Sequence, residues 1–311
     1  MRLRRGDSLE KHHCVLTNPD QGCVLDVLYK ATFRELRSYF MEYPLPVREK
    51  VKFFCTDMRS GFSKTARCCF PNARICIDPF HVIKLISEAV DAARMDAWHR
   101  FTQKARSLKA LADEANASGN EELASQKTKE WYQAKDDALF IKSSHLLLVT
   151  SPSNPDAYWN RHEEKRDQKL KDLYSIVPDL ETAREALEEF HSLVEMVTDS
   201  CRTQALTDWL SKYTVCSIPS IRQAAFSIRK RRKDIENAWK YKKSNGATEG
   251  LNKKIKDIRR MGFGAHDFQN LRRRILLACG AATLDTVQYT IFDEKNSQPG
   301  EDAFPLYEPR E

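Results

Sequence analysis

From Asp78 onward the chain is committed to helix. Val82, Leu85, Ile86, Ala89, Val90, Ala93 and Ala97 recur at i, i+3, i+4 and i+7, so one apolar stripe runs along a long amphipathic helix. Asp78 stands where an N-cap belongs and Pro79 where the first helical residue belongs. Residues 100–215 add further helices, for example over Leu180, Ala183, Leu187, Phe190, Val194 and Val197, with breaks near Ser151–Pro155 and Val177–Pro178. No strand signal of comparable quality interrupts them. Any sheet must therefore be built largely from the residues that come before.

Those residues alternate between strand and helix. His12–Thr17 and Cys23–Tyr29 are strand-like, and Asn18-Pro-Asp-Gln-Gly22 between them supplies a turn, which predicts a hairpin. Phe33, Leu36 and Phe40 recur at helical spacing up to the break at Tyr43–Pro46. Val51–Thr56 then predicts a buried strand ending at Asp57, and Arg74–Ile77 a second short strand running into Asp78. Helices resume from about Ser220 to Lys243. A last pair follows Gly246, divided by Met261-Gly-Phe-Gly264, and the tail after about residue 290 is polar and expected to be flexible.

No stretch approaches roughly eighteen consecutive apolar residues, which excludes a membrane-spanning helix. Met1-Arg-Leu-Arg-Arg5 is not followed by an apolar run, so no secretory signal is read and the cytoplasm is the expected compartment. Nine scattered cysteines without a C-x-x-C pair fit reduced thiols better than a disulfide framework, and the irregular spacing of Cys68, Cys69, Cys76 and His81 does not argue for zinc.

The net charge of +7 is unevenly spread. Residues 226–278 hold sixteen Lys or Arg against five Asp or Glu, so the rest of the chain is acidic. Arg229, Arg231, Arg232, Lys233, Lys253, Lys256, Arg259 and Arg260 belong to this stretch and could follow a phosphate backbone. The plainer alternative for any one cluster is a solvated helix face.

Asp57 and Glu249 are the candidate catalytic and metal-holding carboxylates. Mg²⁺ takes hard oxygen ligands, and phosphoryl transfer with two such ions needs acids fixed on rigid elements. Lys253, Lys256 and Arg260 lie at i+4, i+7 and i+11 from Glu249, so one helix face presents an acid with three cations. Taken singly, the plainer readings are a strand-end turn for Asp57, a helix N-terminal charge for Glu249, a cap for Asp78 and a first-turn hydrogen bond for His81.

The ordered set is more specific than its pieces. Cys55-Thr-Asp57, Pro71-Asn-Ala73, Asp78-Pro-Phe-His81 and the following Asp91 and Arg94, then Thr248-Glu249-Gly250-Leu-Asn252, Arg260, Gly262-Phe-Gly264, Phe268 and Arg273-Arg-Ile-Leu276 resemble bacterial insertion-sequence transposases of the DDE type. The resemblance covers roughly residues 10–280. It implies an α/β fold, mostly helical overall, in which a ribonuclease-H-like sheet core is interrupted by a large all-α insertion between the second Asp and the Glu. Residues 1–98 would begin the core, 99–219 form the insertion, 220–290 complete the core with basic helices and 291–311 form the tail. It further implies Asp57 as the second catalytic Asp, Glu249 as the final carboxylate, Asp78 and His81 as a supporting D-x-x-H signature, and two Mg²⁺ or Mn²⁺ ions. DNA, as terminal inverted repeats and target, would be the partner, in the bacterial nucleoid, with a homo-oligomer an open alternative and no membrane.

The first Asp of this type should precede the hairpin, where Arg4 and Arg5 stand and Asp7 is the nearest acid. The chain thus resembles an N-terminally shortened member. Two competing readings are a non-catalytic DNA-binding remnant that acts as an inhibitor, and a helical scaffold whose basic faces only confer solubility.

Overall fold

The computed structural model describes residues 13–151, 154, 156–261 and 267–280. The expectations above for Asp7, His12, Gly262–Gly264 and the tail concern residues outside this set. The chain forms two compact units, Met1–Asp78 with Tyr241–Glu311, and Pro79–Lys240.

The first unit opens with β1 (Cys14–Asn18) and β2 (Cys23–Leu28), an antiparallel hairpin. Asn18 Oδ1 accepts from the backbone N of Asp20 and Gln21, and Gly22 takes the left-handed conformation at φ +64° that closes the turn. The register shifts at Leu16/Thr17: Leu16 pairs with Asp26 but Thr17 with Val24, which leaves Leu25 as the extra residue of a bulge. Helix α1 (Phe33–Met41) starts at Thr32, whose hydroxyl accepts from Glu35 N. The short α2 (Leu45–Arg48) follows, and then β3 (Phe53–Thr56), α3 (Ser60–Cys69) and β4 (Arg74–Ile77). β3 and β4 pair in parallel, Phe53 with Arg74 through Thr56 with Ile77, as a second two-stranded sheet. Of β3 only Thr56 is buried; Phe53, Phe54 and Cys55 are half-buried, because the rings of Tyr241 and Phe70 that pack on the two phenylalanines cover them only in part.

The second unit, within the described residues, is helical. α4 (Pro79–Ala117) packs along α5 (Glu121–Ser143), with Ala105, Leu108 and Ala134 buried between them and Trp131 against the cluster. Small alanines let the two backbones approach closely. The turn is a Schellman motif: Asn120 N donates to Ala115 O, Gly119 N to Asn116 O, and Gly119 has φ +75°. Asn120 then caps α5 by accepting from Leu123 N. α6 (His145–Val149), α7 (Glu163–Ile176), α8 (Asp179–Glu195), α9 (Asp199–Tyr213), α10 (Pro219–Lys230) and α11 (Arg232–Lys240) complete the unit. The stripe on α8 ends earlier than its periodicity suggests. Met196 turns extended at ψ 143°, and Val197 lies 92% exposed. Two arginines grip the α5–α6 junction: Arg94 donates to the carbonyls of Ile141 and Lys142, and Arg184 to that of Leu147. Both are buried, and no described helix is long and apolar enough to cross a membrane.

The chain returns to the first unit with α12 (Gly246–Met261) and α13 (Phe268–Cys279), the latter capped by Asp267. Their apolar faces close on the hairpin, burying Val24, Val27, Leu251, Ile255, Ile275 and Cys279 together. Each full-sized apolar side chain here contributes about 1.5–3 kcal/mol by leaving water.

Candidate functional site

Parallel strands send their ends to the same sheet edge. The residues that follow β3 and β4 are Asp57 and Asp78, and Asp78 N donates to Thr56 O at 3.4 Å, which carries the ladder one step past Ile77. Asp78 is 8% exposed, and its Oδ2 accepts from the backbone N of Asn245 at 2.5 Å. The Asn245 carbonyl in turn accepts from Glu249 N at 3.0 Å in the first turn of α12. One residue earlier, the hydroxyls of Thr248 and Thr17 meet at 2.7 Å. The start of α12 is thus fastened both to β1 and to the end of β4.

The segment leading there crosses β3. The Tyr241 ring packs on Phe53 at 5.1 Å, the Arg74 guanidinium lies 4.8 Å from the Tyr241 centroid, and Lys243 Nζ sits 5.2 Å from the Phe53 ring and 3.1 Å from Asp20 Oδ1. Lys242 between them has φ +49°, a left-handed conformation unusual for a long side chain.

Asp57 and Glu249 belong to the same unit but stand differently. Asp57 is largely covered and occupied, Oδ1 accepting from Arg59 N and Oδ2 from Arg59 Nε, both at 2.9 Å. Glu249 is exposed. His81 lies in the helical unit, half-buried with its ring 5.7 Å from that of Phe80. The basic residues divide between the units. Lys253, Lys256, Arg259 and Arg260 are exposed along α12, with Arg260 paired to Asp257. Arg229, Arg231, Arg232 and Lys233 sit at the α10–α11 junction. There Arg229 stacks on Phe226, Arg231 donates to the Ser227 carbonyl, and Arg232 is engaged by Glu236 and Thr207.

Carboxylate oxygens are the donor type a hard divalent cation takes. Among the described residues, however, no group of three or more His, Cys, Asp or Glu side chains could hold a metal ion. The fit is one of donor type and not of number.

Two polar networks were not expected from the sequence as networks, although Asp91 and Arg94 of the second carry part of the resemblance. In the first unit Asp26, buried on β2, accepts from Arg272 Nε at 2.6 Å, Arg272 Nη2 at 3.1 Å and Tyr39 Oη at 2.8 Å; burial and then the Asp26 charge push the Tyr39 phenol up. In the second, Asp91 Oδ1 accepts from Arg94 at 2.6 Å and meets His145 Nδ1 at 2.8 Å. The first could have been suspected from a lone acid in an apolar strand. Nothing local marks His145.

The family model for DDE transposases of the ISL3 group, described as a transposase, matches residues 2–275, and the chain belongs to that family. The transposase for insertion sequence element IS1557 of Mycobacterium tuberculosis, from strains CDC 1551 / Oshkosh and ATCC 25618 / H37Rv alike, is 27% identical over 207 residues, which cover 67% of this chain and 42% of the relative. The match thus spans less than half the length of those relatives. No solved structure matches the chain.

Proposed function

We propose that this chain is a DNA transposase catalytic domain that cleaves and joins strands at insertion-sequence ends. The observation that carries the reading is the hydrogen-bonded line from the ends of β3 and β4 through Asn245 to the first turn of α12, in a chain of this family. It gathers an acid on a strand end and an acid on a helix start onto braced elements of one unit. In this reading Asp57 and Glu249 are the acids that would hold Mg²⁺ or Mn²⁺, and Asp78 and His81 support them. A cation so held would neutralise phosphate charge and lower the pKa of the attacking water or 3′-hydroxyl.

The chain's own residues do the rest. Asp78 fixes the loop before α12 and Arg59 orients Asp57, while Lys253, Lys256, Arg259 and Arg260, with the cluster at Arg229–Lys233, hold backbone phosphates. The two small sheets are read as parts of one ribonuclease-H-like sheet, and residues 99–219 as an all-helical insertion.

The test is cleavage of terminal-repeat DNA by the whole chain with Mg²⁺, alongside Asp57→Ala and Glu249→Ala. Cleavage lost in both variants supports the assignment, and cleavage kept in both rejects it. A second reading, a non-catalytic DNA-binding remnant, is favoured by the exposed basic residues Lys253, Lys256, Arg259 and Arg260 along α12. Salt-sensitive binding without cleavage by any form would select it.

A further inference from the structure

Cys55 and Cys76 are direct partners in the β3–β4 register. In-register residues of neighbouring strands project from the same sheet face, and strands about 4.8 Å apart put paired Cα atoms inside the 4.4–6.8 Å window of a disulfide. Neither cysteine is in a disulfide; Cys76 is fully buried and Cys55 half-buried, with Cys76 Sγ 3.8 Å from the Arg74 carbonyl oxygen. We propose that Cys55 and Cys76 form a redox-active dithiol, with Cys55 the attacking thiol and Cys76 the resolving one, that takes a small-molecule disulfide as its oxidant.

The surroundings favour these roles. Cys55 is half-buried and so within reach of a small oxidant, while Cys76 is fully enclosed and stands beside its strand partner. The more accessible thiol of a pair is the one that meets the oxidant first. The Cys55 thiolate attacks one sulfur of the oxidant, forming a mixed disulfide and releasing one thiolate. Cys76 then loses its proton to that released thiolate and attacks Cys55 Sγ, forming the Cys55–Cys76 bond and expelling the second thiolate, which takes the proton Cys55 had shed to solvent. Two thiols are oxidised and one disulfide is reduced to two thiols, so electrons and protons balance. Cys55 lies two residues before Asp57 and Cys76 two before Asp78, so a covalent link would fix the spacing of the two strand ends beside the proposed catalytic acids.

The test uses the whole chain in glutathione buffers of rising oxidised fraction, quenched in acid, alkylated and mapped by mass spectrometry. The expected product is a linked peptide pair joining Cys55 to Cys76, reversed by reductant and absent from Cys55→Ser. The exposed Cys68 and Cys201 report that oxidant reached the protein. Recovery of Cys55 and Cys76 on separate peptides, each alkylated or each carrying glutathione, in samples where Cys68 and Cys201 are glutathionylated, overturns the proposal. Should the Ser variant not fold, the wild-type map alone decides. The map needs no DNA, so a linked pair in a protein that never cleaves DNA would sustain the dithiol while the transposase reading failed.

Discussion

Asp78 Oδ2 receives the backbone N–H of Asn245 at 2.5 Å across 167 positions of sequence. A carboxylate that accepts from a main-chain donor fixes the backbone and leaves side chains free for other work. Asp78→Ala is expected to cost about 1–3 kcal/mol, the usual penalty for stranding a partner of a charged hydrogen bond. Amide exchange should quicken at residues 246–249. Unaltered exchange there would show that this carboxylate does not anchor α12.

Asp26 is the sole described acid holding Arg272, and it holds Tyr39 as well. Asp26→Ala leaves the half-buried guanidinium on α13 without its counter-charge, at an expected cost of about 1.5–3 kcal/mol. Urea unfolding should register the loss, and a fall under about 1 kcal/mol would mean solvent replaces the pair.

Acid should weaken the helical unit through Asp91. Burial alone would raise this carboxyl, but the hydrogen bonds from His145 and Arg94, with the charges behind them, bring it below its ordinary value. A lowered folded-state value means stability is gained above the unfolded pKa of about 4 and lost as pH falls through the folded one. Urea midpoints for the native protein should therefore drop below about pH 4 more steeply than those for Asp91→Asn. Parallel curves would remove Asp91 from the account.

Alkylation rates near neutral pH should separate the less exposed thiols. Burial pushes Cys14 up to about 12 and Cys69 up to about 11, whereas Cys55 is lowered. Cys55 should react before both in a timed iodoacetamide series read by peptide mass, and Cys14 leading would contradict the electrostatics drawn around β3.

If α12 follows DNA, Lys253→Ala, Lys256→Ala and Arg259→Ala should each reduce the salt slope of binding by about 1. Arg232→Ala should cost stability as well, since that side chain also holds Glu236 and Thr207. Equal slopes in native and variant proteins would leave α12 with no phosphate contacts.

Much of the architecture was legible because the periods are clean. The 3.6-residue stripe of α4, the hairpin about Asn18–Gly22 and the two short strands before Asp57 and Asp78 all declare themselves. α3 did not, since its apolar row is only Phe62, Ala66 and Cys69 and the rest of its buried face is the polar Ser63 and Thr65. The bracing of Glu249's helix was also hidden. Asn245 acts through its main chain, which leaves no side-chain signature, and the Thr17–Thr248 contact joins residues 231 positions apart. The acids were visible as residue types; what secures their elements was not.

The bulge at Leu25 has a consequence for how this hairpin tolerates change. Val24 and Val27 are three residues apart and would point oppositely on a regular strand, yet both enter one core. Deleting Leu25 would leave the two valines two positions apart, on one face of a regular strand, so a one-residue gap there should keep both in the core, whereas a gap at Asp26 would also remove the acid that holds Arg272.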